Sequence, residues 1–113
     1  MNVSLPMPLQ LHRYAARRVL LPGNGERETV VEGIEITVFG DNFPIRAIEP
    51  EILVADQAAQ GVAVAADRHS IRGYLRQLPA DGSTIRVRYG DSQEGELRSA
   101  FRIEAVQALP TQC

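Results

Sequence analysis

The most regular feature of the chain is a two-residue alternation of apolar and polar positions. Over residues 33–40, Ile34, Ile36 and Val38 fall on one side of an extended backbone, and Glu35, Thr37 and Phe39 on the other. The same period returns after Pro50, where Ile52 and Val54 alternate with Glu51 and Leu53. It recurs over 61–65 through Val62 and Val64, and again at Ile71, Gly73 and Leu75. Further on, Ile85, Val87 and Tyr89 alternate with Arg86 and Arg88. Leu97, Ser99, Phe101 and Ile103 then alternate with Arg98, Ala100 and Arg102. With Val19-Leu20-Leu21 as a short first strand, the pattern predicts about seven strands. Turn signals separate them: Pro22-Gly23-Asn24-Gly25, Gly40-Asp41-Asn42 and Pro79-Ala80-Asp81-Gly82.

No segment carries a helical period of normal length, so the expected fold is all-β. One-sided alternation belongs to antiparallel sheets with one wet face, and two such sheets close a core between them as a β-sandwich. Segments 85–89 and 97–103, joined by the polar loop 90–95, form an expected hairpin with one apolar face and one arginine-bearing face. Ile36 and Val87 are expected to point inward and Arg88 into solvent. Residues 1–16 hold Pro6, Pro8 and part of the basic stretch 12–18, without a sustained period. They are expected to form an N-terminal arm, weakly ordered or docked on a partner, before a domain over 17–104 and a tail over 105–113.

Length and charge narrow the function classes. A chain of 113 residues is one domain, and a net charge of −2 favours no general attraction to nucleic acid. The single cysteine, Cys113, allows no intrachain disulfide. Pro6, Pro8, Gln10, His12 and Arg13 interrupt any secretory apolar core, and no run approaches the roughly 20 apolar residues that cross a bilayer. A cytoplasmic location and no membrane contact are expected. The chain contains no lysine, so Gly23 and Gly25 cannot open a phosphate loop of the Gly-Lys-Ser/Thr kind.

The stretch Gly33-Ile34-Glu35-Ile36-Thr37-Val38-Phe39-Gly40-Asp41-Asn42-Phe43 resembles the second strand of IPT/TIG immunoglobulin-like domains. There a glycine precedes an alternating strand, followed by Gly, a small polar pair and Phe. Leu20-Leu21-Pro22-Gly23 is similar to the family's first strand and turn. Leu78-Pro79, Asp81-Gly82, the strand 84–89 with Gly90, and Ser99-Ala100-Phe101 follow in the family's order. The pair before the second strand departs from it, being Glu32-Gly33 in place of two glycines. The resemblance covers about residues 17–104. It implies an immunoglobulin-like two-sheet antiparallel β-sandwich used for binding or structure, and it brings no catalytic residue.

The candidate chemistry is sparse. Asp67, His69 and Ser70 suggest a hydrolytic triad, but triad members converge from separate segments and these neighbours point apart, so a polar turn is expected instead. His12, His69 and Cys113 are too scattered for zinc. Asp41, Asn42 and Asp81 could gather as calcium oxygens, though turn chemistry accounts for them. No catalytic residue, cofactor or metal is expected. Arg86, Arg88, Arg98 and Arg102 are expected to share one solvent face, partly neutralised by Glu94, Glu96 and Glu104, and are the candidate partner-binding residues. The leading expectation is a non-enzymatic interaction or structural module that binds a protein partner or a second copy of itself. One alternative is anion or nucleic-acid binding through the arginine hairpin, with nucleic acid not favoured. The other is an accessory or saccharide-binding β-domain, for which Tyr14, Phe39, Phe43 and Tyr74 are the candidate aromatics.

Overall fold

The computed structural model describes residues 9–22, 30–41, 43, 50–89 and 93–108, and there the alternating segments become strands. In chain order these are β1 (Gln10–Pro22), β2 (Val30–Asp41), β3 (Glu51–Val54), β4 (Gln57–Ala58) and β5 (Gln60–Val64). They are followed by β6 (Ser70–Leu75), β7 (Ile85–Tyr89), β8 (Gln93–Leu97) and β9 (Val106–Gln107). The only helical element among the described residues is a single 3-10 turn, Ile103–Ala105. One sheet runs β5-β6-β2-β1-β9 and the other β4-β3-β7-β8. Strands β1, β2, β6 and β5 thus form an A-B-E-D layer, and β3, β7 and β8, with β4 at the edge, form the opposing C-F-G layer. This is the immunoglobulin-like sandwich. Six of the seven expected strands are present, the seventh is displaced to Gln93–Leu97, and β4 and β9 are short additions.

Alternation explains what the two layers share. Ile34, Ile36 and Val38 of β2 and Ile71 and Leu75 of β6 face Ile52 and Val54 of β3 and Ile85 and Val87 of β7, all buried. Phe43 and Phe101 fill the same core and are fully buried. Each such side chain contributes about 1.5–3 kcal/mol by leaving water. At Gly73, facing inward between Ile71 and Leu75, an added Cβ would stand 2.8 Å from the Ala59 Cβ and 3.2 Å from the Ile52 Cδ1. The missing side chain lets the sheets approach there.

Three expectations are corrected. Residues 10–16 are the first half of β1, not an arm, and pair with β2 from Gln10↔Asp41 to Ala16↔Ile36. The core-facing positions of β1, opposite Val38, Ile36 and Ile34, are Tyr14, Ala16 and Arg18. That mixture carries no apolar period, so the pattern reveals only Val19-Leu20-Leu21. Residues 1–8 lie outside the described residues. The tail is structured in part, because β9 pairs in parallel with β1 at Ala16↔Val106 and Arg17↔Gln107.

The third correction concerns the last hairpin. Strand β8 begins at Gln93, inside the expected loop, and ends at Leu97. Its register is Ile85↔Leu97, Arg86↔Glu96, Val87↔Gly95, Arg88↔Glu94 and Tyr89↔Gln93. Beyond it Ser99 has φ +50°, a left-handed conformation that breaks the alternation. Phe101 is still buried, stacked on Tyr14 with ring centres 5.9 Å apart, whereas Ile103 is 40% exposed. The Tyr14 hydroxyl accepts the Arg102 backbone N–H at 2.8 Å, fastening this segment to β1.

Candidate functional site

The four arginines expected to share one face do not. Arg86 and Arg88 lie on the outer face of the β3-β7-β8 layer, where register places Arg88 between Glu51 and Glu94, and Arg86 between Leu53 and Glu96. Arg88 Nη2 donates to Glu51 at 2.9 Å, and Arg86 Nε stands 3.5 Å from Glu96 and 3.9 Å from Glu94. Arg98 sits past the end of β8, with its Nε donating to Glu96 at 2.6 Å. This contact holds the Glu96 carboxyl below its ordinary pKa, helped by the charge of Arg86. Arg102 has left the sheet altogether, and its guanidinium donates to the carbonyls of Ser99 and Phe101 at 2.7 and 3.0 Å. Its role there is to close a turn. The hairpin face therefore meets each arginine with a glutamate and offers no excess positive charge.

The outer face of the other layer is arranged differently. Its cross-strand rows are Arg17–Glu35–Tyr74, Ala15–Thr37–Arg72–Ala63 and Arg13–Phe39–Ser70. Arg13 stacks over the Phe39 ring at 3.9 Å. Arg17 grips Glu35 with two bonds, Nε to Oε1 at 3.0 Å and Nη2 to Oε2 at 3.2 Å. Burial pushes the Glu35 pKa upward more than any other single influence. The hydrogen bond and charge of Arg17, joined by Tyr74 and the charge of Arg72, outweigh it and bring the carboxyl below its ordinary value. Beside this pair lies a cleft of about 220 Å³ lined by Glu35, Thr37, Ala63, Val64, Ala65, Ser70 and Arg72.

At one end of this face Asp41 joins two histidines. His12 Nε2 lies 2.8 Å from one carboxylate oxygen and His69 Nδ1 3.1 Å from the other. The His12 hydrogen bond, seconded by His69, holds Asp41 below its ordinary pKa. The expected Asp67, His69 and Ser70 group is resolved accordingly. Asp67 accepts the His69 backbone N–H at 3.0 Å in a local turn, the His69 ring turns to Asp41, and Ser70 faces the cleft. Asp81 accepts the Ile103 N–H at 2.9 Å, away from Asp41, while Asn42 and Cys113 lie outside the described residues. Among the described residues no three histidine, cysteine or acidic side chains gather as a metal site. Of the candidate aromatics, Phe43 is buried, Tyr14 is packed on Phe101, and Phe39 is covered by Arg13.

A second feature, which the alternating pattern does not reveal, lies where β1 and β2 outrun β6. Strand β6 covers β2 only from Ile34 to Phe39, while β1 and β2 continue pairing through Val19↔Gly33, Leu20↔Glu32, Leu21↔Val31 and Pro22↔Val30. This overhanging ribbon is braced by Arg76, whose Nη2 donates to the Pro22 carbonyl at 2.9 Å. Leu20 and Val30 belong to its core-facing side but stand beyond the opposing layer, 59% and 62% exposed. Among the described residues no helix is long and apolar enough to cross a membrane. No family model, no curated protein and no solved structure matches the chain.

Proposed function

We propose that this immunoglobulin-like domain is a non-enzymatic interaction module that binds another protein through the β1–β2 ribbon. The observation that carries the reading is the continuation of the core-facing side past the second sheet, which leaves Leu20 and Val30 in water. Apolar surface of this kind gains by being covered. A second copy supplies the same surface, and a two-fold axis through the ribbon would bury both at once. The strand order agrees with that of an IPT/TIG-type sandwich and supports that kinship as part of the proposal. The absence of any intrachain disulfide supports a cytoplasmic setting.

Light scattering over a concentration series tests the reading. The parent is expected at twice the chain mass, and the double variant Leu20→Asp, Val30→Asp at the single chain mass with an unchanged circular dichroism spectrum. A parent that stays monomeric at every concentration overturns self-association through the ribbon.

A further inference from the structure

We propose that the cleft on the outer face of the β5-β6-β2-β1 layer is a binding site for a small monocarboxylate, with Arg72 as its anchor. The site is independent of the ribbon. Every other described arginine on the two sheet faces is engaged by a carboxylate, a carbonyl, a side-chain amide or an aromatic ring. Arg72 is exposed and makes no hydrogen bond or ion pair among the described residues. Register is the cause: its cross-strand neighbours are Thr37 on β2 and Ala63 on β5, neither of them acidic.

Three further properties point to a carboxylate. Thr37 and Ser70 line the same cleft, half-buried, and their hydroxyls are unspent among the described residues. A guanidinium fork flanked by hydroxyl donors matches a planar carboxylate. Ala63 and Ala65 keep the β5 side low, and the half-open cleft of about 220 Å³ is room for roughly seven waters at about 30 Å³ each, the size of a small organic acid. The remaining wall is Glu35, which Arg17 holds by two hydrogen bonds and which Arg72 influences through its charge alone. A monoanion tolerates that wall, whereas a phosphate dianion meets stronger repulsion.

The test is an amide-resolved NMR titration of the full chain with sodium acetate, with chloride replaced to hold ionic strength constant. Saturable shifts are expected at Thr37, Ala63, Ser70 and Arg72, including the Arg72 Nε–H. Arg72→Met is expected to weaken binding roughly tenfold or more, as for loss of a charge-assisted pair, while Arg88→Met leaves it unchanged. The double variant Thr37→Val, Ser70→Ala keeps the arginine and should weaken binding by itself, covering the case in which Arg72→Met perturbs the sheet. Shifts that never saturate, that spread over all arginines, or that persist in both cleft variants overturn the proposal. Tighter binding of sodium phosphate at the same residues overturns the carboxylate assignment.

Discussion

Arg88 and Arg72 each stand on the outer face of one of the two sheets, on a strand hydrogen-bonded on both sides, and their surroundings are opposite. Arg88 has Glu51 on one neighbouring strand and Glu94 on the other. Arg72 has Thr37 and Ala63. Each is one exposed arginine between two buried residues, Ile71 and Gly73 for Arg72 and Val87 and Tyr89 for Arg88, so parity does not distinguish them. What distinguishes them is which residue a partner strand delivers alongside. The β3-β7-β8 face pairs its arginines with glutamates, and on the β5-β6-β2 face one arginine and two hydroxyls beside a cleft make no side-chain hydrogen bond or ion pair among the described residues.

The comparison rests on both sheets sharing one core equally, and the largest expected effect tests that. Ile36→Asp in one layer and Val87→Asp in the other each bury an unpaired charge and should cost more than about 4 kcal/mol, enough to abolish the cooperative melt. Retention of a parental melting temperature by either would show that its layer does not face the core.

Next in size is a difference at high pH. Burial pushes the Tyr89 phenol up from 10.0 to about 12. A group whose pKa rises on folding gives its full stabilisation below its unfolded value and loses it as pH climbs through the folded one. The parent should therefore lose about 2–3 kcal/mol between these two values, a loss that Tyr89→Phe escapes in urea titrations. Equal alkaline loss in both proteins would place the phenol in water.

A gain of about 1 kcal/mol is expected from Ala55→Gly. The first sheet has Gly61 at its left-handed position in β5, whereas the β3–β4 turn holds Ala55 and Asp56 at φ +51° and +66°. A lowered melting temperature would mean that the alanine side chain contributes more than the strain costs.

Smaller still, Arg88→Ala should change stability by less than about 1 kcal/mol, as for exposed pairs generally. Arg17→Met should act on titration more than on stability. Glu35 now sits below its ordinary pKa, so it stabilises above the unfolded value and that contribution fades as pH falls through the folded one. Without Arg17 the upward push of burial prevails, and the carboxyl resonance of Glu35 should titrate at higher pH than in the parent. An unmoved titration would assign the lowering to Tyr74 and Arg72 instead.

How much of this the sequence discloses depends on whether a position's role is local. The inward parity of Ile34, Ile36 and Val38, or of Ile85 and Val87, is a property of neighbouring residues, and it locates the core and most strands. The extent of β1 is not local, because Tyr14, Ala16 and Arg18 become core-facing only through pairing with β2. The hairpin face fails for a related reason. One left-handed residue, Ser99, ends the alternation, so Arg98 and Arg102 leave the face that parity assigns them. That no acidic residue stands directly across from Arg72 is a fact about β2 and β5, not about β6.

The tie between Tyr14 and the Arg102 backbone, with β9 laid along β1, has a consequence for the chain as it leaves the ribosome. Strands β1 and β2 are made close together, but the Arg102 N–H that Tyr14 accepts lies 88 residues beyond it, and β9, which covers the outer edge of β1, comes later still. During that interval the nascent sheet carries an open side, the condition under which unfinished β proteins aggregate. Folding dominated by such distant pairings is slow.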